Sequence, residues 1–231
     1  MSSLRILIFT GAFSSGGAEK QSILLAKVLN KKYNCVIVSY YGEKQLIRYI
    51  NLLESENIKY YQLKGNFLEK LKKFYQLYKT EKPDILFNFL PSNNLLGGII
   101  GNLNNTSIIF GGIRNSRVKL HQFIELFISH NFLSDYSIYN NESGIKYFSK
   151  LGFKQKKSLF IPNCLYPLPE KKGFSKRSNS NIVILMVSRF EKQKDHFTAI
   201  EAFNKIIEKH NNVQIDLIGI GKLEDKVRKM V

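Results

Sequence analysis

Short, continuous apolar runs alternate with longer stretches of helical spacing along most of the chain. We predict strands at about 4–10, 34–40, 58–63, 84–89, 106–111, 135–139 and 158–161, and helices at about 18–30, 44–56, 67–80, 92–102, 117–132 and 142–151. Runs such as Ile6–Phe9 and Ile85–Phe87 are unbroken, whereas a strand with one wet face would alternate apolar and polar side chains. The sequence therefore predicts an α/β fold, with a parallel sheet covered by helices on both faces.

A change of composition after Pro162 marks a second unit. Residues 167–181 are rich in Pro, Gly, Ser and charged side chains, which is typical of a linker. The alternation then restarts with a strand at 182–187, a helix at 195–208, a strand at 213–218 and a helix from near Leu223. We predict domains at 1–165 and 181–231 with a linker at 166–180, and the second domain looks incomplete because it is short.

The net charge of +17, from 35 Lys and Arg against 18 Asp and Glu, favours polyanionic partners such as nucleic acid, anionic lipid or phosphorylated small molecules. No helix-turn-helix, zinc spacing or RNA-binding aromatic motif accompanies the charge, so we do not expect a nucleic-acid partner. Two cysteines, Cys35 and Cys164, do not make a disulfide framework, and no apolar run reaches the roughly 18 residues that span a bilayer. These features indicate a cytoplasmic protein.

The stretch from Val187 to His196 carries the strongest chemical signal. It places Arg189 and Lys194 just past a predicted buried strand and beside a helix N-terminus, where open α/β sheets bind ligands and backbone N–H groups favour anions. Arg189 offers a planar fork for bidentate phosphate contacts, and Lys194 offers a point charge on a long stem. Either side chain could instead be an ordinary solvated cation, and Lys192 competes for the same role.

Glycine pairs follow two of the predicted strands. Gly16 and Gly17 come after the first strand, and Gly219 and Gly221 come after the strand at 213–218. A loop without Cβ atoms lets a phosphate or a sugar approach the backbone closely. The same glycines would also serve a flexible or tight connection between strand and helix, so both roles stay open.

Four sets of residues, in register along nearly the whole chain, resemble family 4 (group 1) glycosyltransferases of the GT-B fold. The matching segments are the N-terminal glycine loop at Gly16–Lys20, the end of the N-terminal domain at Tyr139–Ser143 and Ile161–Asn163, the opening of the C-terminal domain at Val187–Phe190, Lys194–His196 and Ala202–Phe203, and the next nucleotide-side loop at Gly219–Gly221. Each segment alone is a loose match, whereas the four together are fairly specific.

The resemblance implies a Rossmann-like acceptor domain at 1–165 and the first β-α-β-α of a Rossmann-like nucleotide-sugar domain at 181–231. It implies retaining, metal-independent transfer of a sugar from a UDP- or GDP-sugar to a glycan or lipid-linked acceptor, in cell-surface polysaccharide or glycolipid synthesis, with no further cofactor. Family members often act on lipid-linked acceptors, so the resemblance also implies peripheral contact with the inner face of the cell membrane. The residues that match the family's donor site are Gly16, Gly17, Arg189 and Lys194 for the diphosphate and Gly219 and Gly221 for the nucleotide side.

One departure from the family concerns the catalytic residues. Many relatives carry a His-Asp-type pair after the fifth strand, whereas Phe110–Arg117 contains no histidine. Arg114 is a weak candidate there for holding an anionic acceptor or the donor phosphate, and it could equally decorate the following helix, as could Arg117. The catalytic acid and base are therefore unassigned. The four histidines, His121, His130, His196 and His210, have no metal-ligand spacing and are predicted to lie on the surface or on helix faces.

A second departure concerns the end of the sequence. The family's pair of glutamates eight residues apart falls beyond Val231, and the helix from Leu223 reads as interrupted. We expect a C-terminally truncated enzyme or a fragment, weakly active unless a partner chain supplies the rest. The alternatives are a non-catalytic binder of acceptor glycan or anionic lipid, the partner subunit of a split glycosyltransferase, and a nucleotide-sugar epimerase with the same crevice.

The predicted helix at 67–79 has aromatic side chains on one face and lysines mostly elsewhere. Such a basic amphipathic helix can lie on an anionic membrane surface. Packing on the protein's own sheet is the commoner use of this pattern, and we favour it here.

Overall fold

The computed structural model describes residues 4–115, 117–164 and 182–231. The chain divides into two compact units, Met1–Leu168 and Pro169–Val231, called here the N-terminal and the C-terminal unit. The predicted linker at 166–180 lies outside the described residues, and the functional roles assigned to the two domains stay predictions.

The N-terminal unit is a seven-stranded parallel sheet with helices between successive strands. Its elements are β1 (Arg5–Thr10), α1 (Gly17–Leu29), β2 (Asn34–Ser39), α2 (Ile47–Ser55), β3 (Lys59–Gln62), α3 (Phe67–Glu81), β4 (Ile85–Asn88), α4 (Pro91–Leu103), β5 (Ile108–Ile113), α5 (Leu120–Ile128), a π-helical turn (Ser129–Leu133), β6 (Tyr136–Tyr139), α6 (Glu142–Lys150), a 3-10 turn (Gln155–Lys157) and β7 (Ser158–Phe160). The strand order is β3-β2-β1-β4-β5-β6-β7, with every pairing parallel. The predicted α/β fold is confirmed.

Both faces of the sheet carry a buried cluster. On one face, Ile8 and Ile37 of the strands pack with Ile23 of α1 and Leu53 of α2. On the other face, Phe9 of β1 stacks on Phe74 of α3 with ring centroids 4.0 Å apart, in a cluster that also holds Tyr78 and Leu86. Unbroken apolar strands are explained by this double cover, because alternate side chains of one strand enter different clusters.

Helix α2 begins later than the sequence pattern predicts. The predicted start at 44 falls in a loop, and the helix begins at Ile47. Gln45 is used to tie two loops together: its Oε1 accepts a hydrogen bond from the Phe13 N–H at 2.8 Å, and its Nε2 donates to the Tyr41 carbonyl at 2.9 Å. These long-range contacts hold the backbone before Ile47 in a non-helical conformation.

The prediction that the four histidines lie at the surface or on helix faces is wrong for His130, which is fully buried in the π-helical turn. Its Nε2 lies 3.0 Å from the Lys154 carbonyl oxygen, which can only accept, so Nε2 carries the hydrogen. Burial lowers the pKa of His130 to about 4, since a charged imidazole would lose its hydration there. His196 is buried as well, whereas His121 and His210 are exposed.

The C-terminal unit is a smaller β-α-β-α arrangement. It comprises β8 (Ile182–Val187), a 3-10 turn (Lys192–Lys194), α7 (His196–Ile207), β9 (Val213–Ile218) and α8 (Glu224–Arg228). The two strands pair in parallel along their whole lengths, and their bounds are those that the sequence predicts. The prediction that β8 is a buried strand is wrong: five of its six residues are exposed, because none of them belongs to the core cluster of this unit. Its core is the cluster of Phe190, Ile200 and Val227, against which Leu217 and Leu223 pack.

Within the described ranges, none of the helices combines the length and the apolar character that crossing a bilayer requires.

Candidate functional site

The chain reverses the direction in which it adds strands between β1 and β4. From β1 it builds β2 and β3 on one side, and then returns to place β4 on the other side of β1. In an open α/β sheet, the loops that leave the strands at such a switch point diverge, and a crevice opens at the carboxyl edge. The loops after β1, β4 and β5 are therefore the parts of the N-terminal unit that a ligand would meet.

The loop after β1 is held firmly by its neighbours. Tyr41 N–H donates to the Gly11 carbonyl at 2.7 Å, and a Cβ on Gly11 would lie 2.5 Å from Leu90 Cδ1. Leu90 itself has φ 79° and ψ 152°, a conformation that costs a non-glycine residue about 1–3 kcal/mol. A side chain on Gly11 would therefore require the end of the Leu90 side chain to move. The sequence reasoning did not single out either residue.

Gly16 and Gly17 differ in what surrounds them. Gly16 is the N-cap of α1, and a Cβ on it would overlap Glu19 Oε2, whereas a Cβ on Gly17 would meet nothing within 4 Å among the described residues. A carboxylate in the first turn is stabilised by the positive end of the helix dipole. A side chain on Gly16 would displace only the flexible end of Glu19, so packing requires neither Gly16 nor Gly17.

Arg114 lies just past the carboxyl end of β5 and is half-buried. Its Nη1 donates to Asn163 Oδ1 at 2.6 Å, and its guanidinium carbon lies 4.9 Å from the centre of the Phe89 ring. Burial lowers the pKa of Arg114, and the nearby Glu19 carboxylate opposes that shift. Its buried Nε has no hydrogen-bond partner among the described residues. Arg114 is therefore held between Asn163 and Phe89, and does not simply decorate the next helix.

The segment after β7 is fixed to α1 beside this arginine. The Cys164 N–H donates to Gln21 Oε1 at 2.8 Å, and Gln21 Nε2 donates to the Cys164 carbonyl at 2.7 Å. This two-way contact across 143 residues of sequence holds the neighbouring Asn163 where it accepts from Arg114.

Asn88, the last residue of β4, is a buried polar side chain that the sequence reasoning missed. It is 2% exposed, and neither polar atom of its amide has a hydrogen-bond partner among the residues described. A Cβ on Gly97 of α4 would overlap Asn88 Oδ1, so the glycine makes room for the amide. Its only signal in the sequence is a polar residue at the end of an otherwise apolar strand.

In the C-terminal unit, the loop after β8 lies against the loop after β9. The Ser188 N–H donates to the Ile218 carbonyl and the Phe190 N–H donates to the Ile220 carbonyl, both at 3.0 Å. These bonds continue the strand pairing past the end of the sheet. Between them, Arg189 has its backbone held on both sides while its side chain is exposed to solvent.

Gly219 and Gly221 permit this close approach. A Cβ on Gly219 would overlap the Ser188 carbonyl oxygen, and one on Gly221 would lie 2.5 Å from the Phe190 carbonyl oxygen. Because these obstacles are backbone atoms, which cannot move aside cheaply, both glycines are required by the two loops themselves. This observation favours the tight-connection role that the sequence left open.

Lys194 ends the 3-10 turn, and Asp195 follows in the left-handed region with φ 52°. Asp195 caps α7: its carboxylate accepts from the Thr198 N–H at 3.4 Å and from the Thr198 hydroxyl at 3.0 Å. The helix N-terminus that the sequence offered to an anion thus already holds a carboxylate. Lys192 and Lys194 are both exposed, and the structure does not choose between them.

The structure brings the predicted residues together in two groups. In the N-terminal unit, Gly16 and Arg114 both lie beside Glu19, and in the C-terminal unit, Arg189 lies against Gly219. Among the described residues, there is no group of three or more His, Cys, Asp or Glu side chains that could hold a metal ion.

The sequence of the C-terminal part matches a known family. Residues 169–231 match the model of the glycosyl transferases group 1 family. None of the curated proteins matches the chain.

Solved structures with similar folds cover almost the whole chain. HepE from Anabaena, in complex with UDP and glucose, has a TM-score of 0.75 at 16% identity, over 98% of this chain and 64% of that chain. The lipopolysaccharide outer core galactosyltransferase WaaB has a TM-score of 0.69 at 18% identity, over 97% and 63%. A UDP-N-acetylglucosamine 2-epimerase from Rickettsia bellii has a TM-score of 0.56 at 17% identity, over 98% and 64%.

The chain thus spans a little under two thirds of the length of these structures. Residues 169–231 match the group 1 glycosyl transferases in sequence, and the chain has the α/β fold of the GT-B type, with a Rossmann-like N-terminal unit and a second β-α-β-α unit.

Proposed function

We propose that this chain binds a nucleotide-diphosphate sugar and takes part in transferring the sugar to a glycan or lipid-linked acceptor. The observation that carries the proposal is the presentation of Arg189 at the carboxyl end of β8. Its backbone is held there by the hydrogen bonds of Ser188 and Phe190, within the segment that matches the group 1 glycosyl transferases. A guanidinium placed in this way suits the oxygens of a diphosphate.

The chemistry of transfer favours such a cation. When the bond between the sugar and the phosphate breaks, negative charge grows on the departing diphosphate, and a cation already in place stabilises that charge most in the transition state. Arg189 and Lys194 would supply this stabilisation without a metal ion. We also propose that the anomeric configuration is retained, in line with the family resemblance, with UDP or GDP as the nucleotide.

In the N-terminal unit, the open face of Gly17 and the partly buried Arg114 are the proposed contacts for substrate. In the part of the chain that the structure describes, no neighbouring atom lies within 4 Å of where a Gly17 side chain would begin, so a ligand could reach the backbone there. A Gly17→Ala variant should keep its fold and lose ligand affinity if this contact exists. The donor capacity of Arg114 suits a phosphate or an anionic acceptor.

Isothermal titration calorimetry with UDP, GDP and UDP-glucose tests the proposal on the whole chain. We expect micromolar binding of at least one nucleotide, and at least a tenfold loss in the double variant Arg189→Ala/Lys194→Ala. The matched control is Lys205→Ala/Lys209→Ala, which removes the same charge from exposed positions near and just beyond the other end of α7. An equal loss in the control would mean that general positive charge, not this loop, attracts the nucleotide.

The same titrations separate the competing functions. A folded chain that binds acceptor glycan and no nucleotide would support the non-catalytic binder. Release of a changed nucleotide sugar without any acceptor would support an epimerase instead of a transferase. Sugar transfer that is unaffected by a chelator, with the product's anomeric configuration read by NMR, would support the metal-independent and retaining mechanism.

We further propose that the carboxyl edge of the N-terminal sheet, near the starts of α2 and α3, contacts the cytoplasmic face of an anionic membrane. Only part of the amphipathic face of α3 is used inside the protein: Phe74 and Tyr78 are buried, whereas Phe67 and Leu68 at its start are 60% and 72% exposed. Ile47, the first residue of α2, is 74% exposed. Both helices start at the same edge of the sheet, after neighbouring strands.

Co-sedimentation with vesicles tests this surface. We expect binding to phosphatidylglycerol vesicles, weaker binding to phosphatidylcholine vesicles, and loss of binding in Phe67→Ser/Leu68→Ser. Leu103→Ser is the control, because Leu103 is 71% exposed at the end of α4, on the opposite edge. Equal loss in both variants, or equal binding to both lipids, would contradict the proposal.

A further inference from the structure

We infer that His196 is a positioning residue that fixes Arg189 for contact with the diphosphate. The inference rests on the proposed function and adds to it a residue to which the sequence analysis gave no role in the site. His196 is the first residue of α7 and only 1% exposed, so it acts through its neighbours and not by touching a ligand.

His196 contacts the residue on each side of Arg189. Its Nε2 lies 3.0 Å from Ser188 Oγ, within hydrogen-bond distance, and its ring centroid lies 4.7 Å from that of Phe190. Phe190 is itself buried, in the cluster with Ile200 and Val227. The imidazole therefore joins the loop after β8 to the start of α7 and to the core of the unit.

The contacts of His196 complete a clamp whose other half is backbone. Ser188 and Phe190 donate to the carbonyls of Ile218 and Ile220, which fixes the loop along the direction of the sheet. The hydrogen bond between His196 Nε2 and Ser188 Oγ fixes the Ser188 side chain on the helix side. Productive contacts tolerate misplacement of only about 0.5 Å, so an exposed arginine needs such a rigid base.

A merely structural role would look different. Ile200 lies one turn further along α7 and packs in the same core, but it is apolar and makes no hydrogen bond to Ser188. If His196 only filled space, removing it would lower stability as removing part of Ile200 does, without a specific effect on ligand binding. The His196 Nδ1 is buried without a partner among the described residues, so the ring's contact with the loop is through Nε2.

The test compares His196→Asn with His196→Gln by titration of UDP into the whole chain. The Gln amide can place a polar atom near the position of Nε2, whereas the Asn amide is too short. We expect His196→Asn to weaken UDP binding by about tenfold, the equivalent of one hydrogen bond, and His196→Gln to stay within about threefold of the wild type. Ile200→Ala should melt at a lower temperature and bind UDP with unchanged affinity while folded.

A double-mutant cycle identifies the route of the effect. In an Arg189→Ala background, His196→Asn should cause no further loss of UDP affinity, because the residue it positions is gone. A full tenfold loss in that background would overturn the inference, as would wild-type affinity in His196→Asn or equal losses in the Asn and Gln variants.

Amide hydrogen exchange keeps the inference separable from the proposed function. Loss of the clamp should speed exchange at the Ser188 and Phe190 amides in His196→Asn more than in His196→Gln or Ile200→Ala. If the wild type bound no UDP, the proposed function would fail, and the exchange rates would still show whether His196 fixes the loop. Unchanged exchange in His196→Asn would overturn the positioning role on its own.

Discussion

The two units hold their carboxyl-edge loops by different means. In the N-terminal unit, the loop after β1 is tied by backbone hydrogen bonds from Tyr41 and Leu46 and by the side chain of Gln45, above a sheet with a buried cluster on each face. In the C-terminal unit, the loop after β8 is tied by backbone hydrogen bonds to the next loop and by one buried histidine, above a three-residue cluster.

This difference changes the meaning of a glycine in the two loops. Backbone atoms lie where the Cβ atoms of Gly219 and Gly221 would be, so the fold itself explains these two glycines. Gly17 meets no atom of the described residues within 4 Å, so packing among them does not explain it, and either a flexible connection or a ligand would. A glycine-rich loop in a sequence therefore does not reveal whether its glycines serve packing or binding, and the surrounding atoms must be known.

The largest expected effect comes from the unequal cores. Phe74→Ala should destabilise the N-terminal unit by about 3–5 kcal/mol, because Phe74 is fully buried and stacked on Phe9. Phe190→Ala should cost the C-terminal unit less, since its cluster has fewer buried members. Urea unfolding, monitored by hydrogen exchange in peptides of each unit, measures both losses of stability. A cost for Phe190→Ala equal to or above that of Phe74→Ala would break the comparison.

The second effect concerns the buried histidine of the N-terminal unit. Burial lowers the pKa of His130 to about 4, below its ordinary value of 6.5. Between these two pH values the unfolded chain therefore binds more protons than the folded chain. Stability of the unit should therefore be full above pH 6.5 and fall as the pH drops towards 4, by up to about 3 kcal/mol. His130→Gln, which keeps a donor for the Lys154 carbonyl, should flatten this dependence in urea titrations. An unchanged pH profile in that variant would contradict the assignment.

The third and smallest pair of effects separates the two kinds of glycine. Gly219→Ala should destabilise the C-terminal unit by about 1–3 kcal/mol, because the new methyl group overlaps the Ser188 carbonyl. Gly17→Ala should stabilise the N-terminal unit by up to about 1 kcal/mol, since it starts a helix and meets no atom. Thermal melts of the two variants give opposite signs if the comparison holds, and the same sign if it does not.

Much of the fold could be predicted from the pattern of apolar residues. The strands β8 and β9 have the predicted bounds, and the seven N-terminal strands all overlap the predicted ranges. The predictions fail where distant residues intervene: Gln45 delays α2 by bonding to Phe13, and His130 is drawn into the core by the Lys154 carbonyl. Such contacts leave no trace in local spacing.

The candidate site was predictable only in part. The position of Arg189 past a strand is visible in the sequence, because strand ends are visible. What holds Arg189 in place is not visible, since it depends on Ser188, His196 and the loop after β9 meeting in space. Arg114 was a weak candidate by sequence and stays a prediction; its burial and its contact with Asn163 could not be read from the sequence.

The most direct test of the central proposal compares UDP with uridine, by calorimetry on the wild type and on Arg189→Ala. If the loop after β8 binds the diphosphate, the wild type binds UDP more tightly than uridine, and the substitution removes that advantage while leaving the affinity for uridine unchanged. Equal affinities of the wild type for the two ligands, or an Arg189→Ala variant that still prefers UDP to the same degree, would contradict a diphosphate site at Arg189.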